Sequence, residues 1–393
     1  MNTEILNKDI QDFINKNLRA DVSKILLRGT PFKNVSTRAV VEQIESKLKS
    51  EHKLPSWFST PNIYFPNKLN IEQTSSEIAA KYKSELFTGT TIVDITGGLG
   101  VDSYYFSKVF KSVIHCEINE TLSQIVSHNN EQFEIANIAT IAEDGIEFLK
   151  SGDQQFDWIY VDPSRRHDSK GKVFFLNDCL PNVPEHLETL FKHAPNIAIK
   201  TSPLLDLSVG LNELKHVKHI HVLAIKNEVK ELLWILENGF EGPTTIKTVN
   251  IVKGKKDIFS FRLSDESQRN VVYSKPLRYL FEPNSSILKS GGFNSLAESL
   301  KLSKLHQHSH LYTSDMLIEF PGRSFKIETV INYNKKALKS LGISKGNITT
   351  RNFPETVQQL RKKHRIKDGG NTYIFFTTNN LNEKIVIVSS KIN

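Results

Sequence analysis

The stretch TIVDITGGLGVD, from Thr91 to Asp102, constrains this chain more than any other. Ile92, Val93 and Ile95 form a short apolar run of buried-strand type. Gly97, Gly98 and Gly100 then break it, and Tyr104-Tyr105-Phe106 continues in a manner that suits a helix. A strand, a glycine turn and a helix in that order make a ligand cradle. Glycine lets backbone approach a bound group closely, and the helix start presents free N–H groups. A dinucleotide site would continue G-x-G-x-x-G, but from Gly98 the register runs Gly98, Gly100, Ser103, so the third glycine is missing. A nicotinamide-dependent oxidoreductase is therefore disfavoured.

The 393 residues allow two or three domains with a large core. Cys116 and Cys179 are the only cysteines and form no C-x-x-C, so neither a disulfide framework nor a zinc finger is indicated, and a reducing, cytoplasmic setting is expected. The start, MNTEILNKDIQDF, mixes charged and apolar residues, so we expect no signal peptide; no run is long enough to span a membrane. Histidines alternate at His219 and His221 and at His306, His308 and His310, but no carboxylate or cysteine accompanies them at ligand spacing, and no metal is expected. Charge is unevenly placed. The first 240 residues carry 26 Lys/Arg against 31 Asp/Glu, the remainder 25 against 12. A basic C-terminal part beside an acidic one suggests a polyanionic partner, most simply nucleic acid.

Along the chain, Leu6, Ile10, Phe13, Ile14 and Leu18, then Val41, Ile44 and Leu48, recur at helical spacing and predict a small helical region over 1–68. Asn70 with Gln73 resembles a capping box, and Ile78, Tyr82 and Leu86 predict the apolar face of one helix leading into the first strand. Further strands are expected at Val113–Glu117, Ile138–Ala142, Trp158–Val161 and Ile197–Lys200, with helices at Thr121–Glu134 and Val183–Phe191. An antiparallel hairpin is expected from His219–Ala224 and Glu231–Leu236. Strands alternating with helices predict an α/β fold whose ligands bind beyond the carboxyl ends of the strands.

Asp94 ending the first strand and Glu117 ending the second resemble class I S-adenosylmethionine (SAM) dependent methyltransferases. The resemblance implies a Rossmann-like seven-stranded sheet over 69–265 and SAM as cofactor. Asp94, Thr96, Gly97, Gly98, Gly100, Asp102, Glu117 and Asp144 become its contacts: the glycine turn against the methionine part, Glu117 on the ribose hydroxyls, Asp144 on the adenine amino group and Gly145 in the adenine wall. Gln73, Ser75 and Ser76 are candidates of second rank.

The stretch WIYVDPSRRHDS ends strand four, where many methyltransferases of exocyclic base amines have Asp/Asn-Pro-Pro-aromatic. Transfer to an amine needs its lone pair aligned with the methyl group, so an acid and nearby carbonyls must hold the amine protons. Asp162 and Pro163 meet that need and are the expected catalytic pair. Ser164 and Arg165 depart from the pattern. A guanidinium plane stacks on a base or binds phosphate, so Ser164, Arg165, Arg166 and Lys200 are candidate substrate contacts. Methylation at cytosine C5 needs an attacking cysteine, and neither Cys116 nor Cys179 stands in a Pro-Cys context.

Beyond Tyr273, the phrases EPNSSILKSGGF, LYTSD, FPGR and TTRNFPETVQQLRKK resemble a bacterial methyltransferase family with a ferredoxin-like segment, here 273–320, and a C-terminal THUMP-like domain, here 321–393. Within the latter we read strand Phe325–Ile331, helix Lys335–Leu341, strand Ile348–Arg351, helix Glu355–Lys363, and strands Tyr373–Thr377 and Ile385–Ser389. THUMP domains generally dock structured RNA. This implies an rRNA or tRNA methyltransferase, gripping the backbone through Arg361, Lys362, Lys363, Arg365 and Lys367. A noncatalytic RNA-binding protein of the same fold and a small-molecule methyltransferase are the alternatives.

Overall fold

The structure, a computed structural model, describes residues 1–165 and 175–392, with the backbone alone at Arg165. The chain divides into two compact units, 1–218 with 233–241 and 219–232 with 242–393.

The first unit is built on four parallel strands, β1 (Thr91–Asp94), β2 (Ser112–Cys116), β3 (Ile138–Ile141) and β4 (Trp158–Val161). A two-residue ribbon follows, β5 (Ser164–Arg165) with β6 (Cys179–Leu180), and then a fifth parallel strand, β7 (Asn196–Thr201). The order across the unit is β3-β2-β1-β4-β7. Ile92 pairs with Val113 on one side and Trp158 on the other. The strand order thus reverses between β1 and β4, the switch point where such sheets bind ligands. Every side chain of β4 is buried, as expected for a strand covered on both faces. Phe87, Ile92, Phe106, Phe110, Trp158 and Tyr160 form the core on one face.

Ahead of the sheet, helices Lys8–Lys16, Val22–Arg28 and Thr37–Ser50 enclose their own cluster around Ile5, Ile14, Val40 and Ile44. A second cluster, Leu54, Trp57, Ile63, Phe65 and Ile71, packs on Leu99 and Val101 at the glycine turn. The single helix expected after Asn70 is two. Asn67 caps Lys68–Gln73 and Ser76 caps Glu77–Ser84, each side-chain oxygen accepting a backbone N–H three residues on. The capping-box reading of Asn70 and Gln73 fails because Asn67 takes that role. The buried face of the second helix also differs: Ile78 is 44% exposed, while Ala79, Ala80, Tyr82 and Lys83 are buried.

The second unit opens on the expected hairpin, β8 (Val217–Ile225) and β9 (Glu228–Glu237), whose outer ends belong to the first unit. Two strands that the sequence does not announce follow. β10 (Thr245–Val252) runs parallel to β8, and β11 (Lys255–Arg262) antiparallel to β10, so the sheet does not stop at seven. Their residues alternate polar and apolar, with Lys247, Lys255 and Lys256 among them. That pattern suits a half-exposed strand as well as a loop, so residue order alone does not single these strands out.

A second sheet comprises β12 (Tyr279–Pro283), β13 (Ser303–Lys304), β14 (Tyr312–Ser314), β15 (Gly322–Asn332), β16 (Asn347–Arg351), β17 (Thr372–Thr378) and β18 (Lys384–Lys391), in the order β13-β14-β12-β15-β18-β17-β16. Helices Lys335–Ser340 and Val357–His364 pack with it around Leu338, Leu360, Ile374 and Phe376. No helix among the described residues is long and apolar enough to cross a membrane.

Candidate active site

The glycine turn is shaped from beneath. The Gly97 N–H donates to the Cys116 carbonyl at 2.8 Å and the Gly100 N–H to the Gly97 carbonyl at 2.9 Å. Gly98 and Gly100 take φ of +54° and +74°, a region that favours glycine. Below the turn lies His115, fully buried; a Cβ on residue 97 would stand 2.2 Å from its Nε2. At Gly98, apart from its chain neighbours, nothing among the described residues comes closer than 4.0 Å to such a Cβ. The turn is therefore sealed on the protein side and open on the other, which fits a cradle for a bound group. Burial lowers His115 to about 4, against the opposing influence of the Gly97 and Gly98 backbone, so the imidazole is neutral at physiological pH. Gly97→Ala should lower the melting temperature by several degrees, as overpacking by one methyl costs about 1–3 kcal/mol. In a His115→Ala background the same change should cost much less, and equal cost in both would deny the contact.

Three of the anticipated acids meet around this turn. Asp94, 1% exposed, accepts from the Thr96 N–H at 3.1 Å and the Ser103 hydroxyl at 2.9 Å. Glu117 accepts from the Gly98 N–H at 2.9 Å and the Asn119 N–H at 2.8 Å, so the second strand's acid is bonded directly to the glycine turn. Two of its roughly four lone-pair sites are used, and the rest can accept from a ligand. The Thr96 hydroxyl accepts from the Asp162 N–H at 2.6 Å, joining the turn to the Asp-Pro segment. Pro163 is buried and Asp162 half-buried.

Asp102, expected as a cofactor contact, is held by protein groups. It is 8% exposed, and its carboxylate is taken by the Ser75 hydroxyl at 2.7 Å, the Tyr160 hydroxyl at 2.9 Å and the Lys83 ammonium at 3.0 Å. Lys83, with no side-chain exposure, donates also to Ser75 at 2.8 Å. Asp102 therefore holds the wall, and Ser75 reaches the site through it. Burial alone would raise Asp102, but Lys83, then Lys200, outweigh it and hold the carboxyl below its usual range. Lys83, Tyr160 and His115 had no signal in the sequence: a lysine in a polar helix, a tyrosine in a strand and a histidine in a strand all read as ordinary there.

Lys200, 9% exposed at the end of β7, forms an ion pair with Asp162. Its ammonium orients the carboxylate, a more specific placement than the substrate contact anticipated. Ser164 is exposed in the β5–β6 ribbon, its hydroxyl 3.5 Å from the Leu180 carbonyl. Arg166 and the Arg165 side chain lie outside the described residues. Asp144 caps helix Gly145–Ser151, its Oδ1 accepting from Ile146 at 2.8 Å and Glu147 at 3.2 Å. Gly145 is packed so closely that a Cβ would meet the Ile95 carbonyl at 2.3 Å. Burial raises the Cys116 thiol to about 12, which suits no attacking thiolate.

Burial, then the charges of Asp102 and Asp162, push Asp94 up to about 8 from an ordinary 3.8. Its proton is bound more tightly in the folded chain than in the unfolded one. This stabilises the fold fully below the unfolded value, and the contribution is lost as pH rises from about 4 through about 8. Asp94→Asn should flatten that limb: melting temperatures of wild type and variant should diverge between about pH 4 and 8, the variant holding better. Parallel curves would place the Asp94 proton elsewhere.

The C-terminal basic run divides. Arg361 donates to the Gly346 carbonyl at 3.2 Å and pairs with Asp368, and Lys363 bonds the Tyr333 hydroxyl at 2.9 Å and Glu355 at 2.8 Å. Lys362, Arg365 and Lys367 are exposed. His306, from the alternating histidines, meets amide side chains, Asn382 at 3.0 Å and Asn352 at 3.1 Å.

Residues 279–321 match a ferredoxin-like domain family and 322–391 a THUMP domain-like family. The chain is similar over its whole length to a protein of Porphyromonas gingivalis W83 provisionally named a methyltransferase, at 31% identity and a TM-score of 0.90, covering 100% of this chain and 99% of that one. An rRNA methylase of Streptococcus thermophilus aligns at 16% identity and a TM-score of 0.30, covering 41% of this chain and 93% of that one. TrmK of M. capricolum, solved with S-adenosylhomocysteine, aligns at 18% and 0.33, covering 41% and 68%. At that similarity the last two carry no functional inference. No curated protein matches. With an α/β methyltransferase-like sheet followed by ferredoxin-like and THUMP-like segments, and with full-length similarity to the P. gingivalis protein, the chain belongs to that protein's methyltransferase family.

Proposed function

We propose that this chain is a SAM-dependent methyltransferase of rRNA or tRNA, acting on a base and most simply on an exocyclic amine. The observation that carries the reading is the link from Thr96 to Asp162: one hydrogen bond ties the glycine cradle at the end of β1 to the Asp-Pro segment at the end of β4, across the switch point. Bound SAM would supply an electrophilic sulfonium methyl. Asp94, Thr96, Gly97, Gly98 and Gly100 would hold its methionine side, with Glu117 on the ribose and Asp144 at the adenine. Ile118, 73% exposed beside Glu117, offers an apolar face to a planar ring. Asp162, steered by Lys200, would accept an amine proton in a hydrogen bond and so aim the nitrogen lone pair, while Pro163 stiffens the backbone.

The RNA part rests on the THUMP-like segment and on the excess of positive charge after residue 240. Incubation with labelled SAM and separated tRNA and rRNA fractions tests both parts. Label entering one fraction is expected; label in neither, with SAM binding intact by calorimetry, would point to a small acceptor, and absence of SAM binding to a noncatalytic role. Replacing Lys362, Arg365 and Lys367 by alanine should weaken RNA binding and lower the slope of log affinity against log salt by about one for each phosphate no longer neutralised. An unchanged slope would remove this run from the interface.

A further inference from the structure

A second arrangement of charge lies wholly within the C-terminal unit. Glu282, on β12, has 4% side-chain exposure and carries two arginines. Its Oε2 accepts from Arg323 Nε at 2.8 Å and from the same residue's Nη2; its Oε1 accepts from Arg351 Nε at 3.2 Å and Nη2 at 2.9 Å. Each guanidinium is thus held by one edge, with Nη1 outside the contact. The arginines are far more open than their acid, at 38% and 31% side-chain exposure. Two cations on one carboxylate leave a net positive charge at the surface.

Lys304 stands near the same His310 as Arg351, with the Glu266 carboxylate acting against its charge. Lys304, 2% exposed, places its ammonium on the neutral oxygens of Asn294, at 2.9 Å, and Gln307, at 3.4 Å. His310 lies stacked on Phe293 with ring centroids 3.6 Å apart. Burial, then the charges of Lys304, Arg351 and His308, press it down to about 4. A buried carboxylate with arginines is weak support for stability, since apolar packing commonly does as well. What it secures is geometry, here two planar forks fixed at a partly open surface. That is the form in which arginine meets phosphate bidentately. The basic helix end, by contrast, spends Arg361 and Lys363 on its own fold.

We propose that Arg323 and Arg351, splayed on Glu282, form a phosphodiester-binding site for RNA; this rests on the RNA reading above. The test is RNA binding by the full chain across a salt series, using the fraction that accepts methyl label. Arg323→Ala and Arg351→Ala should each weaken binding several-fold and lower the salt slope by about one. Arg323→Lys with Arg351→Lys, which keeps charge but removes the forks, should also bind measurably less tightly. Folded alanine variants with wild-type affinity and slope would make the cluster a staple and overturn the site. Should they not fold, wild-type affinity in the lysine pair would overturn it. If the unaltered chain binds no RNA, the RNA reading itself falls, an outcome distinct from loss of the clamp alone.

Discussion

Asp162→Ala should reduce methyl transfer by about 10²–10⁴-fold, the range expected when a positioned acid or base is lost, while SAM affinity stays nearly intact. The separation of the two effects follows from geometry. Asp162 meets the cradle through its backbone N–H on Thr96, which alanine retains, whereas its carboxylate points to Lys200. Asp162→Asn keeps shape and removes charge, so it tells whether Lys200 needs a counter-ion or only a hydrogen-bond acceptor. Single-turnover kinetics with calorimetry for SAM reads both quantities. Equal loss of turnover and SAM affinity would mean that Asp162 belongs to the cradle and not to the acceptor.

Lys83→Ala carries the largest expected effect on stability. The ammonium is fully enclosed and pairs with Asp102, itself buried, so removal strands a carboxylate away from water. Breaking such a pair from one side costs about 3–5 kcal/mol. Trp57, Trp158 and Trp234, the chain's three tryptophans, are all buried in the first unit, so fluorescence during urea unfolding follows that unit alone. The variant's midpoint should fall sharply, and Lys83→Met with Asp102→Asn should recover much of it, since a neutral pair leaves no stranded charge. Should the single change move the midpoint by less than about 1 kcal/mol, the pair would be more hydrated than its burial implies. The pair also bears on function. Asp102 and Asp162 both raise Asp94, so the charge on one wall sets the protonation of the other.

Much of this was legible in the residues. An apolar run, glycines and an apolar continuation fix strand, turn and helix because backbone sterics and period act locally, and the parallel strands followed for the same reason. Asp94, Glu117 and Asp162 could be nominated because each ends a strand, and strand ends converge in a doubly wound sheet. What stayed hidden depends on which surface a side chain meets. Lys83 and Lys362 are both lysines in polar helical stretches, yet one is enclosed by Asp102, Ser75 and Tyr160 and the other is exposed. That Asp102, read from its place after the glycine turn as a cofactor contact, is paired with Lys83 was equally hidden.

By itself, then, the order of apolar, glycine and acidic residues determined a methyltransferase-like α/β sheet, the glycine turn after its first strand, and a basic C-terminal part. Tertiary structure alone decided the charge partners: Lys200 on Asp162, Lys83 on Asp102, Arg323 and Arg351 on Glu282. Residues 69 positions apart, as Glu282 and Arg351 are, share no local pattern. Their pairing is set only when the packed chain removes both from water and leaves each the other's best counter-charge.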